Sequence, residues 1–125
     1  MKKKIYITLT GGFGNQLFQY ACAYNISKKY NAEIVIDHIS GFFFDLKFKR
    51  SFCLPKNFTF RKVNICELSI LIFLKFIKKI FYKKNLFYSF NKFFVLDETK
   101  EKKFIDGFLN LFENFSFVYL IGFFQ

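Results

Sequence analysis

Hydrophobic and polar positions first spell out a strand, a turn and a helix. Lys4-Ile5-Tyr6-Ile7-Thr8-Leu9 alternates β-branched and apolar residues, the pattern of a strand. Beyond Gly11-Gly12-Phe13-Gly14, the residues Leu17, Phe18, Tyr20, Ala21, Tyr24 and Ile26 recur at roughly helical spacing. Lys28-Lys29-Tyr30-Asn31 ends that helix with positive charge and an Asn. Ala32-Glu33-Ile34-Val35-Ile36-Asp37 then reads as a short buried strand. Strand, helix and strand over this length predict a right-handed βαβ unit in a parallel sheet.

The pattern is looser further on. Residues His38 to Pro55 read as a loop rich in aromatic and basic residues, closed by a turn at Leu54-Pro55-Lys56-Asn57. Phe58 to Val63 reads as a short strand. From Glu67 to Lys84 a helix is expected. Lys75, Lys78, Lys79, Tyr82 and Lys83 share one stripe of it, and Ile70, Phe73, Leu74, Ile77 and Phe81 the other. Lys75 interrupts the apolar run too early for a transmembrane span, which needs about 20 largely uncharged residues. Two readings stay open: a helix whose apolar face packs on the sheet, or a basic amphipathic helix on an anionic membrane. Asn85 to Asn91 is a connector, Lys92 to Leu96 a strand, and Asp97 to Lys103 a solvated charge run. Phe104 to Phe112 reads as a short helix, and Phe117 to Ile121 as a last strand.

Composition narrows the classes. A chain of 125 residues, 53% hydrophobic, suits one domain with an ample core. Phe contributes 23 residues, and Phe, Lys, Ile, Asn and Tyr are all written with A- and T-rich codons, so coding bias accounts for much of that excess. The net charge of +11 invites a nucleic-acid reading. Only Arg50 and Arg61 among the basic residues are Arg, and no nucleic-acid-binding motif is present, so a membrane surface or a phosphorylated substrate accounts for the charge at least as well. Cys22, Cys53 and Cys66 are odd in number and match no metal spacing, so free thiols in a reducing cytoplasm are expected. The single His38 has no ligand cluster around it, and the apolar run after Lys4 is too short for a signal-peptide core.

Chemistry concentrates at the first strand-to-helix turn. Gly11, Gly12 and Gly14 leave the main chain open to close approach, and the helix that follows aims its N–H groups and the positive end of its dipole at the same spot. That predicts an anion or phosphate site. A P-loop is excluded, because no Lys followed by Ser or Thr opens the helix. The dinucleotide fingerprint lacks its third glycine, whose place Leu17 takes, although Asp37 stands where that fold keeps a ribose-binding acid. Otherwise Asp37 is a solvated loop acid or helix cap. Asn15 is equally an N-cap and a ligand-facing amide.

The run Gly11-Gly12-Phe13-Gly14-Asn15-Gln16-Leu17-Phe18-Gln19-Tyr20-Ala21 closely resembles the opening motif of the α-1,2-fucosyltransferases of glycosyltransferase family 11, with Phe13 the only departure. Tyr119-Leu120-Ile121-Gly122-Phe123-Phe124-Gln125 is a weaker echo of that family's Tyr-Leu-x-Gly-Tyr-Trp-Gln segment. The resemblance implies an α/β chain: a Rossmann-like N-terminal domain of a GT-B enzyme, with helices flanking a parallel sheet. It implies transfer of L-fucose from GDP-fucose to a galactoside 2-hydroxyl with inversion, without a required metal or other cofactor. By the same resemblance Gly12, Phe13, Gly14, Asn15 and Gln16 line the pyrophosphate side of the donor site. The partners implied are a nucleotide sugar and a glycan acceptor.

The family's His-x-Arg-Arg-Gly-Asp motif, which grips the nucleotide sugar from a second domain, is absent. The expectation is therefore a single N-terminal domain over residues 1–125, lacking its C-terminal half and inactive alone, with no catalytic base to name. A cytoplasmic location is expected, at the inner face of the cell membrane if Lys75, Lys78, Lys79 and Lys83 touch lipid. Two other classes stay open: a membrane-surface module built on residues 68–84, and a small Rossmann-like nucleotide binder.

Overall fold

The computed structural model of the chain describes residues 2–80, 93–97 and 116–121. It is an α/β fold: a five-stranded, wholly parallel sheet with a helix on each face. The elements in chain order are β1 (Lys4–Thr8), α1 (Phe13–Tyr30), β2 (Glu33–Asp37), β3 (Arg61–Lys62), α2 (Ile65–Ile80), β4 (Phe93–Asp97) and β5 (Phe117–Ile121). The strand order is β3-β2-β1-β5-β4. This differs from the 3-2-1-4-5 order of dinucleotide-binding folds, because the fourth strand takes the outer edge and the fifth lies beside the first.

Period-two alternation sorts the strand residues onto the two faces. Ile5 and Ile7, Ile34 and Ile36, and Val118 and Leu120 pack with Tyr20, Ala23 and Ile26 of α1. Tyr6, Val35 and Tyr119 point the other way and pack with Leu71 of α2. Both faces are covered, which is why these strands read as nearly unbroken apolar runs.

Helix α1 differs from the expected apolar stripe. Its buried positions are Gln16, Gln19, Tyr20, Ala23 and Ile26, whereas Phe18 and Tyr24 are exposed. It closes as predicted, with Asn31 in the left-handed region and its N–H donating to Ser27 O. The expected strand over Phe58 to Val63 shrinks to Arg61–Lys62. The reason is local: Phe58 N–H closes a turn on Pro55 O, and the Phe58 and Phe60 rings pack into the α1-side core.

Helix α2 starts at Ile65, two residues before the expected start, behind a reciprocal cap. Glu67 N–H donates to Asn64 Oδ1 at 2.8 Å, and Asn64 N–H donates to Glu67 Oε2 at 3.0 Å. Arg61 grips the Glu67 carboxylate with both guanidinium nitrogens, at 2.6 and 2.8 Å. Lys4 and Glu33, at the amino ends of β1 and β2, complete this group through Glu67 and Arg61. Eight residues later Lys75 reaches Asp37 at the carboxyl end of β2. The span is about 12 Å of helix, close to the length of a five-residue strand. Helix α2 therefore runs with the strands, pinned at each end by an ion pair.

The helix packs an apolar face on the sheet, but not along the expected stripe. Leu68, Leu71 and Leu74 face the sheet, but Ile70, Phe73 and Phe76 are exposed. Lys75 leaves the expected basic stripe and turns inward. Lys78 and Lys79 lie in α2, though their side chains are outside the described residues, as are Lys83 and the predicted elements over 85–91 and 104–112. Among the described residues no helix is long and apolar enough to cross a membrane.

Candidate functional site

Strands β1 and β5 bring the two ends of the sequence pattern together. They pair in register, Ile7 opposite Leu120, so Tyr119-Leu120-Ile121 runs beside the strand that feeds the glycine turn. Residues 122–125 of the second motif lie outside the described residues.

The turn itself has two kinds of glycine. Gly11 has φ +76°, so a side chain there is strained. Gly12 is the N-cap of α1 with φ −78° and ψ 179°, a conformation any residue adopts. Gly14 sits in the first helical turn. Among the described residues, a Cβ on Gly12 or Gly14 would meet nothing within 4 Å. Neither backbone conformation nor packing among the described residues requires glycine at those two positions. Glycine inside a helix costs up to about 1 kcal/mol relative to alanine. What the two glycines provide is unobstructed main chain at a helix N-terminus.

No side chain caps that terminus, and its first turn carries no acidic residue. Asn15 is not the N-cap, since α1 starts at Phe13; its half-buried side chain lies against Gly11. Phe13 and Gly14 are exposed, and Gly12 is half-buried. These residues form the open part of the site.

Gln16 and Gln19 hold the turn from below. Gln16 is fully buried. Its Nε2 donates to Gly11 O at 3.1 Å and to Ser51 O at 2.9 Å, while Oε1 accepts the Cys53 N–H at 3.0 Å. Gln19, also fully buried, accepts the Thr10 N–H and donates to Thr10 Oγ1. Gln16 therefore does not line the open surface, as the resemblance implied; it ties the turn to segment 51–53. The role of Gln19 was not foreseen. The signal for both was the helical spacing 16, 19, 20, 23, 26, which runs through polar residues as readily as apolar ones.

Segment 51–53 in turn walls a shallow cleft of about 520 Å³. Phe52, Leu54, Phe58 and Phe60 line it, with Lys56 and Lys62 beside them. Its neighbour His38 sets its ring edge-on to Phe52, and among the described residues nothing hydrogen-bonds its buried Nδ1.

On the α2 face of the same edge lies a buried polar group. Thr8 Oγ1 donates to Asp37 Oδ2 at 3.0 Å and lies 2.6 Å from the Tyr119 hydroxyl. Asp37 also accepts the N–H groups of Ile39 and Ser40, the Ser40 hydroxyl and, at 3.4 Å, Lys75 Nζ. Lys75 bonds Ser40 Oγ as well. Burial pushes the Asp37 pKa up, but these donors outweigh it and hold the carboxyl below its usual range. Burial lowers the Lys75 pKa despite Asp37, and burial pushes the Tyr119 hydroxyl far up. Asp37 is thus neither a solvated loop acid nor a ribose ligand: it is wholly inaccessible, with its acceptor positions taken.

Among the described residues no group of three His, Cys, Asp or Glu side chains could hold a metal ion. Compared with known proteins, the chain matches no family model, no curated relative and no solved structure.

Proposed function

We propose that this chain forms the donor-phosphate wall of an α-1,2-fucosyltransferase-like glycosyltransferase, a Rossmann-like half of a GT-B cleft. In this reading the pyrophosphate of GDP-fucose lies over Gly12, Phe13 and Gly14, and Asn15 sits at its edge. The open space above Gly12 and Gly14 carries the reading, because among the described residues nothing accounts for glycine there. Negative charge grows on the departing GDP as the fucosyl bond to phosphate breaks. Main-chain N–H groups and the positive end of the α1 dipole are already aimed at that charge, which lowers the barrier without reorganisation. Gln16 and Gln19 keep the turn in place.

The alternative of a dinucleotide binder fares worse. Its ribose acid would be Asp37, which is buried and bonded to Thr8, Ser40 and Lys75. Leu17, at the place of the third glycine, packs against the α1-side core.

Titration calorimetry with GDP, GMP and NAD tests the proposal. GDP is expected to bind more tightly than GMP, and Gly14→Val to abolish the difference while leaving the fold intact. Equal binding of GMP and GDP, or binding of NAD alone, would overturn it.

A further inference from the structure

We propose that the loop from Phe42 to Arg50, together with the neighbouring exposed face of α2, is an attachment surface for an anionic lipid bilayer. It is separate from the glycine turn and does not depend on the reading above.

The loop leaves the carboxyl end of β2 and presents apolar side chains to solvent. Phe44 is 93% exposed and Leu46 81%, and Phe43 and Phe48 are more than half exposed. The loop is nevertheless ordered by its own hydrogen bonds. Phe42 N–H donates to Ile39 O, Asp45 N–H to Phe42 O, and Lys49 N–H to Asp45 O. Asp45 Oδ1 accepts the Phe48 N–H, and its Oδ2 lies 3.8 Å from Arg50 Nε. The only acid of the loop is thereby turned onto the loop itself.

The cations stand among the rings. Arg50 lies 4.3 Å from the Phe48 ring centre and Lys47 lies 5.2 Å from it, with Lys49 between them in sequence. Rings that sit at headgroup depth, flanked by basic side chains, are the combination that binds an anionic interface. A folded protein partner would more commonly meet a surface depleted of Lys.

Helix α2 brings further exposed apolar side chains near the start of this loop. The contacts of Lys75 with Asp37 and Ser40 fix its later turns beside the start of the loop. Ile72, Phe73 and Phe76, which flank Lys75 along the helix, are exposed. One polar clamp thus holds the basic, apolar loop and an exposed apolar stretch of α2 near the carboxyl end of β2.

The whole chain is tested by flotation with phosphatidylcholine vesicles, with and without phosphatidylglycerol. Binding is expected only to the anionic vesicles and is expected to weaken with salt. Changing Phe44 and Leu46 together to Ser should reduce partitioning about tenfold or more, with the thermal midpoint unchanged because neither side chain is buried. The chain has no Trp, so Phe44→Trp supplies a single reporter whose emission should shift to the blue on binding. The proposal fails if the anionic vesicles do not bind, if the Ser pair binds them as well as the parent, or if the emission of the introduced indole stays that of water. It also fails if soluble heparin competes the parent off the vesicles and the Ser pair and parent bind heparin and lipid alike, since charge alone would then account for the binding.

Discussion

Lys75 Nζ lies 3.4 Å from Asp37 Oδ2, joining the outer helix to the carboxyl end of β2 across a sequence separation of 38 residues. The carboxylate is fully buried and the ammonium mostly so. The pair therefore works as a clamp: it costs desolvation to form, but breaking it from one side leaves a buried charge without its partner.

Lys75→Met is expected to destabilise the protein by about 2–3 kcal/mol, less than a wholly buried pair because Lys75 keeps some water contact. Adding Asp37→Asn should recover part of that loss, since the amide carries no charge. Urea unfolding of the four proteins of this double-mutant cycle measures the coupling. A cycle that is additive within about 0.5 kcal/mol would show that the pair is not a clamp.

Acid should weaken the fold through Glu67 and Asp37. The Arg61 hydrogen bonds, working against burial, pull the Glu67 pKa from 4.5 down to about 2. Its folded value is below its unfolded one, so its contribution is complete above pH 4.5 and is lost as pH falls from there toward 2. Asp37 shifts in the same direction. Thermal midpoints are expected to fall steeply below about pH 4.5. Glu67→Gln should lower the midpoint at neutral pH and flatten that acid slope. An unchanged slope would remove Glu67 from the account.

Much of the fold was legible in the sequence. The largely apolar runs in residues 4–9, 32–37 and 117–121 mark β1, β2 and β5, because strands buried on both faces must be apolar nearly throughout. The side chains that matter most were harder to place. A row of lysines at helical spacing does not reveal which one turns inward; Lys75 does so because a buried carboxylate waits at the sheet edge. Asn15 and Gly12 compete for the cap position, and only the helix start at Phe13 decides between them. The cap Asn64-x-x-Glu67 was visible as a pattern, but was hidden in a segment dominated by its apolar residues.

Gly41 separates packing from ligand approach among the glycines. A Cβ there would fall on the Leu9 carbonyl, so Gly41→Ala must push backbone apart at the base of the turn. A loss of about 2–4 kcal/mol is expected, in the range of severe core overpacking. Guanidinium unfolding measures it, and a loss below about 0.5 kcal/mol would contradict the close approach.

Gly14→Ala should behave in the opposite way. Among the described residues the space around Gly14 is open, and alanine is the better helix former, so stability is expected to rise by about 0.5–1 kcal/mol. If phosphate lies on this turn, the added methyl group stands where the ligand approaches, and GDP affinity should fall as stability rises. The two effects are measured on one protein, by unfolding and by calorimetry. A gain in stability with GDP binding unchanged would leave the fold as described and remove the ligand from Gly14. A loss of stability would instead mean that the methyl group meets the protein itself.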